Sequence, residues 1–196
     1  MMEAFAVSTG LVALAEVGDK TQLLAIVLAA RFRRPLLVLI GILLATLANH
    51  ALAGLAGTWV ASIASSAWVS NIAGPDAFKW AVGVSFLAMA LWMLVPDKYE
   101  DQPPNLGRFG VLLTTLVAFF LIEIGDKTQI ATVALAARYD ALPAVIAGTT
   151  LGMMVANVPA VLLGDVAATK LNMRLMHRIA ACLFAILGIS VLWATG

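Results

Sequence analysis

The chain has 196 residues, of which 62% are hydrophobic and 12% charged, and its mean hydropathy is +0.99. A soluble domain carries about 25% charged residues, so a soluble fold is excluded and an all-α integral membrane protein is expected. A net charge of +1 with no basic tail gives no reason to expect a nucleic-acid partner, and the single cysteine, Cys182, excludes an intrachain disulfide or a thiolate metal cluster.

A spanning helix takes roughly 20 apolar residues, and the chain divides into six such stretches. The first covers residues 5–30 and ends at RFRRP; Glu3 replaces the basic start of a signal peptide and no convincing cleavage site follows, so this stretch reads as a retained span. The second covers about residues 36–60 and the third about 78–95. PDKYEDQPPNLGR then forms a polar, proline-containing linker. Spans four, five and six follow at about residues 109–137, 142–164 and 178–194. Trp59, Trp68, Trp80, Trp92 and Trp193 fall mostly at span ends, as interfacial anchors do.

Positive charge orients the spans, because cytoplasmic loops collect lysine and arginine. Residues 31–35, 96–108 and 165–178 share one side and hold Arg31, Arg33, Arg34, Lys98, Arg108, Lys170, Arg174 and Arg178; the other side holds Lys79 and Arg138. Both termini are therefore expected on the non-cytoplasmic side.

A shift of 107 residues lays AEVGDKTQLLAIVLAARF onto IEIGDKTQIATVALAARY, with ten of 18 positions identical. Gly41 falls on Gly148 and Gly57 on Gly164, and Asn49 and His50 fall near Asn157. Three spans per half is an odd number, so the second copy enters the membrane from the opposite side. The expected architecture is six transmembrane helices arranged as two inverted-topology three-helix repeats, a pattern common in secondary transporters. Residues 1–95 form the first repeat, 96–108 the cytoplasmic linker and 109–196 the second repeat, together one membrane domain.

The charged heptapeptides EVGDKTQ and EIGDKTQ lie inside spans one and four. On a continuous helix, residues three and four apart share a face, so Glu16, Asp19, Lys20 and Leu23 would form one stripe and Glu123, Asp126, Lys127 and Ile130 another. A charge at the bilayer centre costs at least about 2.5–3.5 kcal/mol, so these groups must face one another, protein or a water-filled cavity. Four carboxylates and two ammoniums leave a net −2, which balances one divalent cation. Glu16, Asp19, Glu123 and Asp126 are the candidate ligands, with Thr21, Gln22, Thr128, Gln129 and Asn157 supplying further oxygens. Such a hard oxygen shell suits Mn²⁺, Ca²⁺ or Mg²⁺ better than copper or zinc. Without the cation, crowded carboxylates take up protons, and metal and protons then compete for one site.

Gly18 and Gly125 either loosen the helix, exposing backbone carbonyls, or let the two motif helices approach closely. Lys20 and Lys127 either hold the carboxylates in place or substitute for the cation. His50 reads as an interior group or as a proton relay or ligand. Asn157, two residues before Pro159, lies at a polar kink, and Asp165 lies by the membrane edge.

Two copies of E-x-G-D-K-T in a six-span chain resemble the small cation/proton exchanger family that includes Golgi calcium and manganese transporters and bacterial manganese exporters. The resemblance implies that Glu16, Gly18, Asp19, Lys20, Thr21, Glu123, Gly125, Asp126, Lys127 and Thr128 build the ion site. The short linker and compact N-terminus favour the bacterial form, and with it a multi-pass protein of the cytoplasmic membrane that exports Mn²⁺, and also Ca²⁺, against protons. The metal is then substrate and no cofactor is expected; lipid surrounds the protein, and a homodimer is compatible with so small a bundle. A cation channel, a scaffold built on a salt-bridge cluster, and an intramembrane enzyme are the competing readings. The last is disfavoured because neither a Ser/His nor an HExxH arrangement is present.

Overall fold

The computed structural model describes residues 1–74, 76–95, 110–163 and 173–193. Nine α-helices make up the described residues: α1 (Met2–Glu16), α2 (Lys20–Phe32), α3 (Pro35–Ala64), α4 (Ala67–Ala73), α5 (Ala77–Met93), α6 (Gly110–Glu123), α7 (Lys127–Arg138), α8 (Leu142–Leu163) and α9 (Met173–Trp193). Among the described residues, three stretches are long and apolar enough to cross a membrane, within α3, α8 and α9; a fourth is the bent pair of α4 and α5 if that counts as one span. The linker, Gly164, Asp165 and Lys170 lie outside the described residues.

Local sequence explains the boundaries. Arg33 adopts a left-handed conformation (φ 51°) that closes α2, with its N–H donating to the Ala29 carbonyl, and Pro35 occupies the first turn of α3, where its missing N–H costs nothing. Ser66 caps α4 by accepting from the Val69 N–H.

The expected continuous first and fourth spans are each broken in two. α1 stops at Glu16 and α2 starts at Lys20; α6 stops at Glu123 and α7 starts at Lys127. The single helical stripe expected for Glu16, Asp19, Lys20 and Leu23 therefore does not form, because residues 17–19 leave the helix. The same correction holds for Glu123, Asp126, Lys127 and Ile130. Leu23 and Ile130, about two-fifths exposed, lie on the outer surface.

Helices pack mainly across the boundary between the halves. α1 lies along α8, α6 along α3, and α5 along α9. Glycines set these distances. A Cβ at Gly41 would meet Thr115 Cβ at 2.7 Å and the Leu112 carbonyl oxygen at 3.1 Å; a Cβ at Gly148 would meet the Phe5 carbonyl oxygen at 2.6 Å. Gly152 is equally tight against the Thr9 carbonyl oxygen of α1. Two apolar clusters result. One joins Leu11, Phe86, Met89, Leu135 and Phe184, and the other joins Leu24, Leu28, Ile42, Ala118 and Phe119. Leucines and tryptophans such as Leu52, Leu91, Trp59 and Trp68 lie exposed on the outside, as suits a protein solvated by hydrocarbon.

Candidate functional site: a buried carboxylate pocket at two helix breaks

The two heptapeptides build the same backbone device. Gly18 and Gly125 have φ of 84° and 76°, a region that side chains with a Cβ occupy only at a cost. Asp19 and Asp126 follow at φ −75° and ψ 164° in both copies, as N-caps of α2 and α7. Their N–H groups donate to the Glu16 and Glu123 carbonyls, each at 3.1 Å. Gln22 Oε1 accepts from the Gly18 N–H at 3.0 Å and Gln129 Oε1 from the Gly125 N–H at 2.6 Å. This resembles a capping box shifted by one residue, with Asp at the cap and Gln three positions later.

The glycines therefore serve local unwinding. A Cβ on Gly125 would meet nothing within 4 Å, so close helix approach is not what glycine supplies there. Each break turns the positive N-terminal end of a new helix toward its aspartate.

The breaks bring the carboxylates together. One oxygen each from Glu16, Asp19 and Asp126 lie within 4.8 Å of one another, and all three residues are buried. A hard divalent cation with oxygens at about 2.3–2.6 Å holds its most distant ligand oxygens about 4.6–5.2 Å apart, so the spacing fits one ion. Glu123, also buried, is outside this three-oxygen group but close enough to act electrostatically on Glu16. Thr21 Oγ1 donates to Glu16 Oε2 at 2.7 Å and lies 3.3 Å from Asp19 Oδ2; Thr128 Oγ1 donates to Glu123 Oε2 at 3.3 Å. Glu16 Oε1, Glu123 Oε1 and Asp126 Oδ2 are buried without a hydrogen-bond partner. Buried polar atoms are normally satisfied, and three unsatisfied carboxylate oxygens in one region are what a cation or protons would satisfy.

The lysines differ. Lys20 Nζ lies 2.6 Å from Asp126 Oδ1, pairing the first motif with the second. Lys127 Nζ donates to the Val95 carbonyl at 2.9 Å, just beyond the C-terminus of α5, where helices leave carbonyls for such donors.

The amides and the histidine are less central. Gln22 Nε2 donates to the Ala156 carbonyl of α8 at 2.9 Å, tying the first break to the other half. The neighbouring Asn157 donates to the Met153 carbonyl and leaves Oδ1 buried without a hydrogen-bond partner; α8 runs on through Pro159 to Leu163. Asn49, which sequence reasoning placed only as a counterpart of Asn157, donates to the Phe120 carbonyl of α6 at 3.1 Å. His50 is buried with neither ring nitrogen hydrogen-bonded, and it is not part of the three-oxygen group.

Comparison with known proteins agrees with this chemistry. The family model described as "Divalent cation/proton antiporter GDT1" matches residues 4–101 and 111–196. A Vibrio cholerae protein named "Putative manganese exporter" is 48% identical over 191 residues, covering 97% of this chain and 90% of that protein. GDT1-like protein 5 of Arabidopsis thaliana is 29% identical over 221 residues, covering 98% and 96%, and a GDT1-like protein of Synechocystis is 28% identical over 214 residues, covering 98% of both. No solved structure matches. With both halves of the chain matched, the protein belongs to the GDT1 family of divalent cation/proton antiporters.

Proposed function

We propose that this protein exports Mn²⁺ from a bacterial cytoplasm in exchange for protons, with Ca²⁺ as a second substrate, and that Glu16, Asp19, Glu123 and Asp126 hold the ion. The observation that carries the reading is the meeting of Glu16, Asp19 and Asp126, drawn from both motifs, within one buried pocket. Family membership supports antiport, and the resemblance to the Vibrio cholerae protein supports manganese as the metal. The ligand set is oxygen only, which accepts Mn²⁺ and Ca²⁺ alike.

The two helix pairs α1–α2 and α6–α7 act as broken spans, which with α3, α4–α5, α8 and α9 make six. The halves are inverted repeats in the cytoplasmic membrane, with both termini outside the cytoplasm. Discontinuous helices near the midplane are the usual place for coupling-ion sites, since backbone freed from the helix is tolerated only where it lines a cavity. Metal and protons then neutralise the same carboxylates in turn, and alternating access presents the pocket to each side of the membrane. Asn157, Gln22, Gln129, Thr21 and Thr128 orient that pocket.

Proteoliposome flux is the test. Mn²⁺ movement driven by an imposed pH gradient, with protons counted in the opposite direction, is the expected result. Flux indifferent to the pH gradient would mark a channel, and absence of flux would leave a scaffold.

A further inference from the structure

We propose that Lys20 is a tethered rival of the transported ion: its ammonium occupies Asp126 in the metal-free pocket and must leave for the divalent cation to bind. This rests on the preceding reading of the pocket as the ion site. The two lysines stand at equivalent positions in nearly identical heptapeptides, yet they are held differently. Lys127, 3% exposed, donates to the Val95 carbonyl beyond the end of α5. Lys20, 23% exposed, reaches across to Asp126, 4% exposed, at 2.6 Å.

Asp126 is also one of the three carboxylates whose oxygens converge. A divalent ion at that convergence and an ammonium against Asp126 Oδ1 repel each other over a few ångströms, in a medium where such repulsion is strong. Asp126 Oδ2 and Glu16 Oε1 remain buried without a hydrogen-bond partner, so Lys20 covers only part of the anionic pocket. Its four-carbon stem is flexible, and its partial exposure leaves the ammonium room to move off Asp126. The metal-free pocket therefore carries a cation of its own that never leaves the chain. Returning to Asp126, Lys20 helps expel the metal and lowers the anionic charge of the emptied site.

The test is equilibrium Mn²⁺ binding to the purified full chain, read from the electron paramagnetic resonance signal of free Mn²⁺ at fixed pH. Lys20→Gln should bind Mn²⁺ at least ten-fold more tightly than the parent, and Lys20→Arg should stay near parental affinity. Asp126→Asn should lose binding. If Asp126→Asn loses binding while Lys20→Gln binds equally or less tightly, the rival-ion role is overturned and the carboxylate site stands; if Asp126→Asn binds as the parent does, both fall. A second measurement needs no substitution: saturating Mn²⁺ should raise the rate of amine acylation at Lys20 several-fold as the ammonium is displaced. An unchanged or lowered rate overturns the proposal.

Discussion

The heptapeptides at residues 16–22 and 123–129 differ by one methylene, Val17 against Ile124, and fold into the same glycine turn with an aspartate at the same N-cap backbone angles, although only the Asp19 side chain accepts a cap hydrogen bond, from the Thr21 N–H. Their side chains nonetheless take different tasks. Thr21 binds its glutamate at 2.7 Å and Thr128 at 3.3 Å; Lys20 enters the pocket, while Lys127 holds the end of α5. Backbone conformation follows the local sequence, whereas side-chain role follows which helices stand nearby. α5 packs on α7 as well as α9, and α9 packs on α1 as well as α5, so the two breaks do not have matching surroundings.

The sharpest way to break this comparison is to neutralise equivalent carboxylates. Asp19→Asn and Asp126→Asn should each lower Mn²⁺ transport by about 100-fold or more in vesicles, because outer-shell partners alone are worth roughly 10–100-fold. Parental rates in either variant would remove that residue from the site. The threonines come next. Losing a hydrogen bond to a charged group costs about 1.5–3 kcal/mol, so Thr21→Val should weaken Mn²⁺ binding about ten-fold and Thr128→Val by less, following the two distances. Equal effects in a titration of both variants would erase the distinction between the halves at this position.

The glycines should behave alike where the lysines do not. Gly18→Ala and Gly125→Ala force a Cβ onto positive φ at a cost of about 1–2 kcal/mol, which a melting experiment in detergent reads directly. Space around the Gly125 Cβ is open, so Gly125→Asn should recover part of the loss, asparagine being the side chain that best tolerates this region. The smallest effect belongs to the outer surface, where Tyr139 Oη donates to Glu3 Oε1 at 3.2 Å. Tyr139→Phe should lower stability by no more than about 1 kcal/mol, measured in the same melts.

Much of the pocket is legible in the chain itself. Six ionisable groups inside two apolar stretches have to find one another, and repetition of the stretch names the partner. The helix breaks are less visible because the apolar runs on either side of each heptapeptide read together as one span, although the signal is present: glycine, then Asp, then Gln three positions on, is a helix start written inside a span. The unequal lysines could not be read from seven letters that barely differ, since the end of α5 that captures Lys127 lies 32 residues away in the chain. Asn49 was visible only as a counterpart, because its bond to the Phe120 carbonyl of α6 depends on how closely Gly41 lets α3 approach.

Those close approaches govern how the protein can flex. Gly41 seats α3 against α6, and Gly148 and Gly152 seat α1 against α8, with backbone oxygens where side chains would otherwise stand. Each of these couples joins one helix from residues 1–95 to one from residues 109–196, so parting the two halves of the chain would mean opening seams where a glycine faces a neighbouring backbone oxygen. The closely packed helix couples are thus hybrids of both halves, and a joint between them need not follow the midpoint of the chain.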